Sequence, residues 1–203
     1  MLDWKVFAAA IVTLLALLAT LGSHPAVKDF FASVGGGLPA LGGEEFAAGN
    51  VSFSLASEKE SLAVQTIRPV NITVDAVLFH GTVKEASLNV TSKQVRIRNY
   101  KGSLSVAGNS LQLNGSLHSF EFDGVFIVRG EVDASASYDK AEIEGLALRE
   151  LSLNSSGVLV ADGSEVKFEQ LRIENLLGTF TYTDKLAAQG VAKKITAGRI
   201  VIE

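Results

Sequence analysis

The sequence predicts an all-β extracytoplasmic domain carried on an N-terminal transmembrane helix. Three observations lead there. From Asn50 onward apolar residues recur at every second position, glycine-containing turn signals interrupt them at close intervals, and Val6 to Leu21 form an uncharged apolar run.

The apolar run VFAAAIVTLLALLATL holds two threonines, whose hydroxyls can bond back to helix carbonyls, so it suits a helix in lipid. Sixteen residues rise about 24 Å, against a hydrocarbon core of roughly 30 Å. Trp4 and the stem of Lys5 supply part of the difference at the interface, so residues 4–21 are expected to contact the membrane and residues 1–23 to form the anchor. A cleaved signal peptide is the competing reading, but its apolar region is normally about 7 to 15 residues and the residues after this run make a mediocre cleavage motif. Flanking charge does not orient the segment, because Asp3 offsets Lys5 and Asp29 offsets Lys28.

Residues 24–49, HPAVKDFFASVGGGLPALGGEEFAAG, read as a glycine-rich juxtamembrane linker holding one short amphipathic piece, Val27, Phe30, Phe31 and Val34. Residues 50–203 are expected to form the β domain. Val51, Phe53 and Leu55 alternate with serines, Val70, Ile72, Val74 and Ala76 alternate with polar residues, and similar runs continue to Tyr182. Turn signals stand at Ala107-Gly108-Asn109, Asn114-Gly115, Asp123-Gly124, Arg129-Gly130, Glu144-Gly145, Ser156-Gly157 and Asp162-Gly163. The expected architecture is therefore a meander of short antiparallel strands closing as a sandwich, a β-groove or a jelly-roll-like structure. A loose repetition runs through it: SLSVAG from Ser103, SLQLNG from Ser110, SFEFDG from Ser119 and GVLVADG from Gly157. The outward positions of these units are small and polar, a surface that can carry glycans or pack closely against another chain.

On SLQLNG, SFEFDG, GVLVADG and LALRELSL from Leu146, residues 50–203 preceded by a single anchor resemble LptC and the β-groove segments of AsmA-like proteins. The resemblance implies an open β structure whose apolar interior receives acyl chains and hands lipid onward. No position matches a diagnostic family motif, so it carries over no site residue.

The chain has 203 residues, 47% of them hydrophobic and 20% charged, enough to bury one substantial core. A formal net charge of -4 provides no basic field for a phosphate backbone, so nucleic acid is not an expected partner. With no cysteine, disulfides, thiolate metal sites and cysteine nucleophiles are excluded together. His24, His80 and His118 have no ligand partner at helical or strand spacing. Glu44-Glu45 reads as solvated in the linker, while Glu121 with Asp123 and Glu142 with Glu144 read as outward pairs without a calcium-loop pattern. No G-x-S-x-G elbow occurs, and Gly35 to Gly37 lack the Lys-Ser/Thr of a phosphate loop. No catalytic, metal or cofactor residue is therefore expected, and the chain is read as not an enzyme.

Five asparagines stand in the acceptor pattern Asn-x-Ser/Thr, namely Asn50, Asn71, Asn89, Asn114 and Asn154. The chain has eight asparagines and about a seventh of its residues are Ser or Thr, so roughly one match is expected by chance. The excess puts the C-terminal domain on the exported side of a cell membrane. The functional expectation is a membrane-anchored structural or interaction module, an accessory subunit or cell-surface scaffold, with a protein partner or self-association. The alternative is lipid or amphiphile binding through an open β groove.

Overall fold

The structure, a computed structural model, describes residues 44–58, 60–83 and 86–198. The expected anchor at 1–23 and the linker up to residue 43 lie outside the described residues. Those described are all-β and hold no helix. Chain order runs β1 (Glu44–Glu58), β2 (Leu62–Gln65), β3 (Val70–Val83), β4 (Ala86–Val90), β5 (Val95–Ala107), β6 (Ser110–Phe122), β7 (Val125–Leu153), β8 (Gly157–Ala161), β9 (Ser164–Phe168), β10 (Gln170–Tyr182) and β11 (Lys185–Gly198). They form one antiparallel sheet of eleven strands in the order β4-β3-β5-β6-β7-β10-β11-β1-β8-β9, with β2 on β5 and a further pairing of β3 with β7. The pairings β3–β5, β5–β6, β6–β7 and β7–β3 close a ring, so this part of the sheet is rolled onto itself.

Several strands are longer than the short ones expected, and β7 runs for 29 residues. For β6 and β7 the reason lies in three signals that are not turns. Asn114-Gly115 sits inside β6, while Arg129-Gly130 and Glu144-Gly145 sit inside β7. Arg129 (φ 60) and Gly145 (φ 72) take up left-handed backbone within the strand, which bends it without ending it. Asp123-Gly124 (φ 42 and 83) and Asp162-Gly163 (φ 48 and 79) do reverse the chain, both residues having the positive φ of a type I′ hairpin. Gly108-Asn109 is also a turn, whereas Gly157 opens β8 after the loop 154–156. The first strand starts at Glu44, inside the segment read as linker, because Glu44 and Glu45 pair with Ala197 and Thr196 of β11.

The eleven strands repeat one plan. Ala136 of β7 lies opposite both Leu111 of β6 and Phe79 of β3, as Ser57 of β1 lies opposite both Leu186 of β11 and Gly157 of β8. In the hairpin β3–β4, Phe79 faces Val90 and Val83 faces Ala86; in β8–β9, Gly157 faces Phe168 and Ala161 faces Ser164. Gly102 faces Gly115 across β5–β6, and Gly178 faces Gly190 across β10–β11. Leu62 and Val64 of β2 meet Val106 and Leu104 as Ala141 and Ile143 of β7 meet Tyr182 and Phe180. Residues 44–122 and 123–198 are thus two structural copies. Each lends its first strand to the other: β1 pairs with β11 and β8, and the first part of β7 pairs with β6 and β3. The shared signature is Arg-Ile-x-Asn-x-x-Gly at Arg96–Gly102 and Arg172–Gly178, with Asn99 and Asn175 at φ 54 and 51.

Alternation sends one side chain in two inward, and the inward set makes one continuous apolar cluster. Tyr100, Phe79, Phe120, Ile72, Ile97 and Ile143 are fully buried in the ring, and Phe168, Phe180 and Leu171 in the second copy. Phe79 and Phe120 meet at 4.8 Å between centroids and Phe120 meets Phe122 edge-on at 5.6 Å, contacts worth about 0.5–1.5 kcal/mol each beyond area burial. In the first copy the large ring is on β3 (Phe79) and faces valine; in the second it is on β9 (Phe168) and faces Gly157, where a Cβ would stand 2.5 Å from that ring. Each copy therefore fills the same space from the opposite strand.

Candidate functional site

The same alternation sends polar side chains to the other face, and strand register decides which of them meet. Across β2, β5, β6, β7 and β3 they fall into two rows. One row is Ala63, Ser105, Gln112, Ser135 and His80; the next is Gln65, Ser103, Asn114, Asp133 and Thr82. Together with Val64, Leu104, Leu113 and Ala134 between them, they line an open groove of about 950 Å³. It continues past Asn114 and Asp133 to an end carrying Lys101, Ser116 and Glu131.

The groove floor is held from beneath. At Gly102 a Cβ would lie 2.4 Å from the Asn114 carbonyl oxygen, and at Gly115 one would lie 2.2 Å from the Lys101 carbonyl oxygen, so only glycine lets β5 and β6 approach this closely. The buried Tyr100 hydroxyl accepts from the Asn114 amide at 3.1 Å and donates to the Ser103 carbonyl. Burial pushes the Tyr100 phenol up to about 12, so it stays a donor at physiological pH. Thr66 ties β2 to the same spot: its hydroxyl accepts from the Gly102 amide at 2.9 Å and donates to the Gly102 carbonyl at 3.1 Å.

Above this support most of the groove side chains are unengaged. Ser103 donates to the Gln65 amide oxygen at 2.6 Å, but among the described residues Gln112, Asn114, Asp133, Ser135, Thr82 and His80 make no side-chain hydrogen bond or ion pair. The two rows contain no lysine or arginine, and Asp133 is their one carboxylate. None of their serines is hydrogen-bonded to His80 or Asp133. What the arrangement offers is a dense, nearly uncharged array of donors and acceptors.

Among the expected glycan acceptors, Asn50, Asn71, Asn114 and Asn154 are exposed, whereas the side chain of Asn89, in β4, lies outside the described residues. Asn114 stands in a strand on the groove floor and not beside a turn, and Asn71 accepts from the Asn99 amide at 3.2 Å. His80 lies in the groove, His118 is exposed on β6 away from it, and His24 lies outside the described residues. Among the described residues no group of three or more His, Asp or Glu is placed to hold a metal. Three of the acidic residues weighed in the sequence are ion-paired: Glu121 with Arg96 at 3.8 Å, Glu142 with Lys140 at 3.2 Å, and Glu45, expected solvated in the linker, with Lys194 at 3.0 Å.

No protein-family model, curated protein or solved structure matches this chain. The groove must therefore be read from its own chemistry. Sequence reasoning noted small polar outward faces but not which would converge, since that depends on five strand registers. The usable signal was the polar half of each alternation, in SLSVAG, SLQLNG and DASAS from Asp133.

Proposed function

We propose that the protein is a membrane-anchored interaction module outside the cytoplasm, without catalytic activity, that engages its partner through the polar groove across β2, β5, β6, β7 and β3. The observation that carries this reading is the pairing of a filled apolar interior with a groove lined by unengaged hydrogen-bonding side chains. An acyl chain entering that groove would strip water from amides, hydroxyls and a carboxylate without replacing their hydrogen bonds, at a cost of about 1–3 kcal/mol for each group. The groove chemistry therefore supports a polar partner over a lipid cargo.

The test is purification of the tagged full chain in mild detergent, beside Gln112→Arg in the groove and Gln189→Arg in the second copy, where Gln189 takes the place of Asn114. A stoichiometric partner should be retained by the parent and by Gln189→Arg and lost from Gln112→Arg. A bare monomer from every preparation, or equal retention by both variants, would sink the assignment. Lipid co-purifying with the parent and lost from Gln112→Arg would favour the cargo reading instead.

A further inference from the structure

The internal duplication supplies a control for the groove, because the same backbone carries a different surface in the second copy. The registers place Val158 where the groove has His80, Val160 where it has Thr82, Ala187 where it has Gln112, and Ala56 where it has Ser135. Val160 is 38% exposed, so this scaffold tolerates apolar side chains at such outward positions. At these four places the hydrogen-bonding side chains of the first copy are thus not imposed by the fold, whereas Gln189 and Ser54 stand where the groove has Asn114 and Asp133.

We propose that the groove is a saccharide-binding face that takes a neutral, polyhydroxylated chain. This rests on the interaction-module reading and names the chemistry of what is bound. Sugar hydroxyls both donate and accept, which matches amides that do both (Gln112, Asn114), the acceptor Asp133 and the serine hydroxyls. The absence of Lys and Arg from the two rows disfavours phosphate or carboxylate ligands. The volume of about 950 Å³ is at the upper end of the roughly 300–1,000 Å³ of ligand clefts, and suits several sugar units. The chain itself offers one source: Asn114, exposed on the groove floor, opens the acceptor triplet Asn114-Gly115-Ser116. A free glycan is the other.

The experiment uses the full chain in mild detergent, produced in a host that N-glycosylates, beside Ser116→Ala, which removes the acceptor triplet but leaves the Asn114 amide in place. The probes are maltohexaose, cellohexaose, mannohexaose and chitohexaose, read by native mass spectrometry and titration calorimetry. Ser116→Ala should bind at least one probe saturably. Adding Asp133→Ala or Gln112→Ala should weaken that binding at least tenfold, and Gln189→Ala should leave it unchanged. A glycan found on Asn114 of the parent, with probe binding at least tenfold weaker than in Ser116→Ala, identifies the chain's own glycan as the occupant; equal binding identifies a free one. Failure of Ser116→Ala to bind any probe, or binding that the groove substitutions leave intact, overturns the saccharide assignment. A protein partner lost from Gln112→Arg but insensitive to every probe would leave the interaction module standing without its sugar.

Discussion

Three buried tyrosines show how much one hydroxyl can matter to this sheet. Tyr100 and Tyr138 each satisfy theirs, Tyr100 on Ser103 and Asn114, and Tyr138 by donating to the Gly108 carbonyl at 2.8 Å. Tyr182 is 3% exposed and its hydroxyl has no hydrogen-bond partner among the described residues. Burial raises its pKa, with the neighbouring Tyr138 and Glu60 adding to the effect, so it stays a neutral group out of water and unpaired. Removing the hydroxyl should therefore have opposite signs at the two sites. Tyr182→Phe should raise stability by about 1 kcal/mol, and Tyr100→Phe should lower it by about 1–2 kcal/mol because it orphans the Asn114 amide. Urea unfolding of the full chain followed by far-ultraviolet circular dichroism measures both, and a loss of stability in Tyr182→Phe would contradict the unpaired hydroxyl.

At the scale of elements, the two glycine pairs set how tightly neighbouring strands lie. A Cβ at Gly178 would stand 2.2 Å from the Gln189 carbonyl oxygen, as one at Gly102 would crowd Asn114. Backbone cannot yield here as a flexible side chain can, so Gly102→Ala and Gly178→Ala should each cost about 3 kcal/mol. Gly108, at φ +56 with open space around it, is the contrast: Gly108→Asn should change stability by less than about 0.5 kcal/mol, since asparagine tolerates this backbone region. The same urea midpoints decide the matter, and equal costs at all three sites would show that turn conformation, and not strand approach, governs these glycines. Gly102→Ala should also displace Asn114 and weaken whatever the groove binds.

At the scale of the whole domain, the reciprocal loan of first strands makes each half incomplete without the other. β1 occupies the space between β11 and β8, and the first part of β7 occupies the space between β6 and β3. Dividing the chain between Asp123 and Gly124 cuts a two-residue turn and no ladder. Co-produced fragments 1–123 and 124–203 should therefore purify together, one to one, with the β signal of the intact chain. Fragments that remain separate while each gives a full β signal would refute the exchange. One function can diverge between such halves without touching the core, because the inward and outward faces of a strand are set by alternate residues.

Much of this fold was legible in the residues. Val70, Ile72 and Val74 in β3 and Leu111 and Leu113 in β6 announce inward faces by period two, and Asp123-Gly124 announces its hairpin. The glycines were ambiguous, because a sequence does not distinguish glycine needed for positive φ from glycine needed for close strand approach; Asp123-Gly124 is the first case and Asn114-Gly115 the second. The duplication was present as Arg-Ile-x-Asn-x-x-Gly but diluted elsewhere by exchanges such as Phe79 for Gly157 and Val90 for Phe168, which preserve volume across a strand pair while erasing identity.

By itself, then, the sequence determined the β class, the inward side chains and the small polar character of many outward positions, since all of these follow from neighbours a few residues apart. Tertiary structure alone decided that Gln65, His80, Ser103, Asn114 and Asp133, spread over almost seventy residues, share one groove. Register between distant strands is chosen by the packing of the opposite, apolar face and by the close approach of glycine pairs, and a shift of one residue would have turned every one of these polar groups into the core.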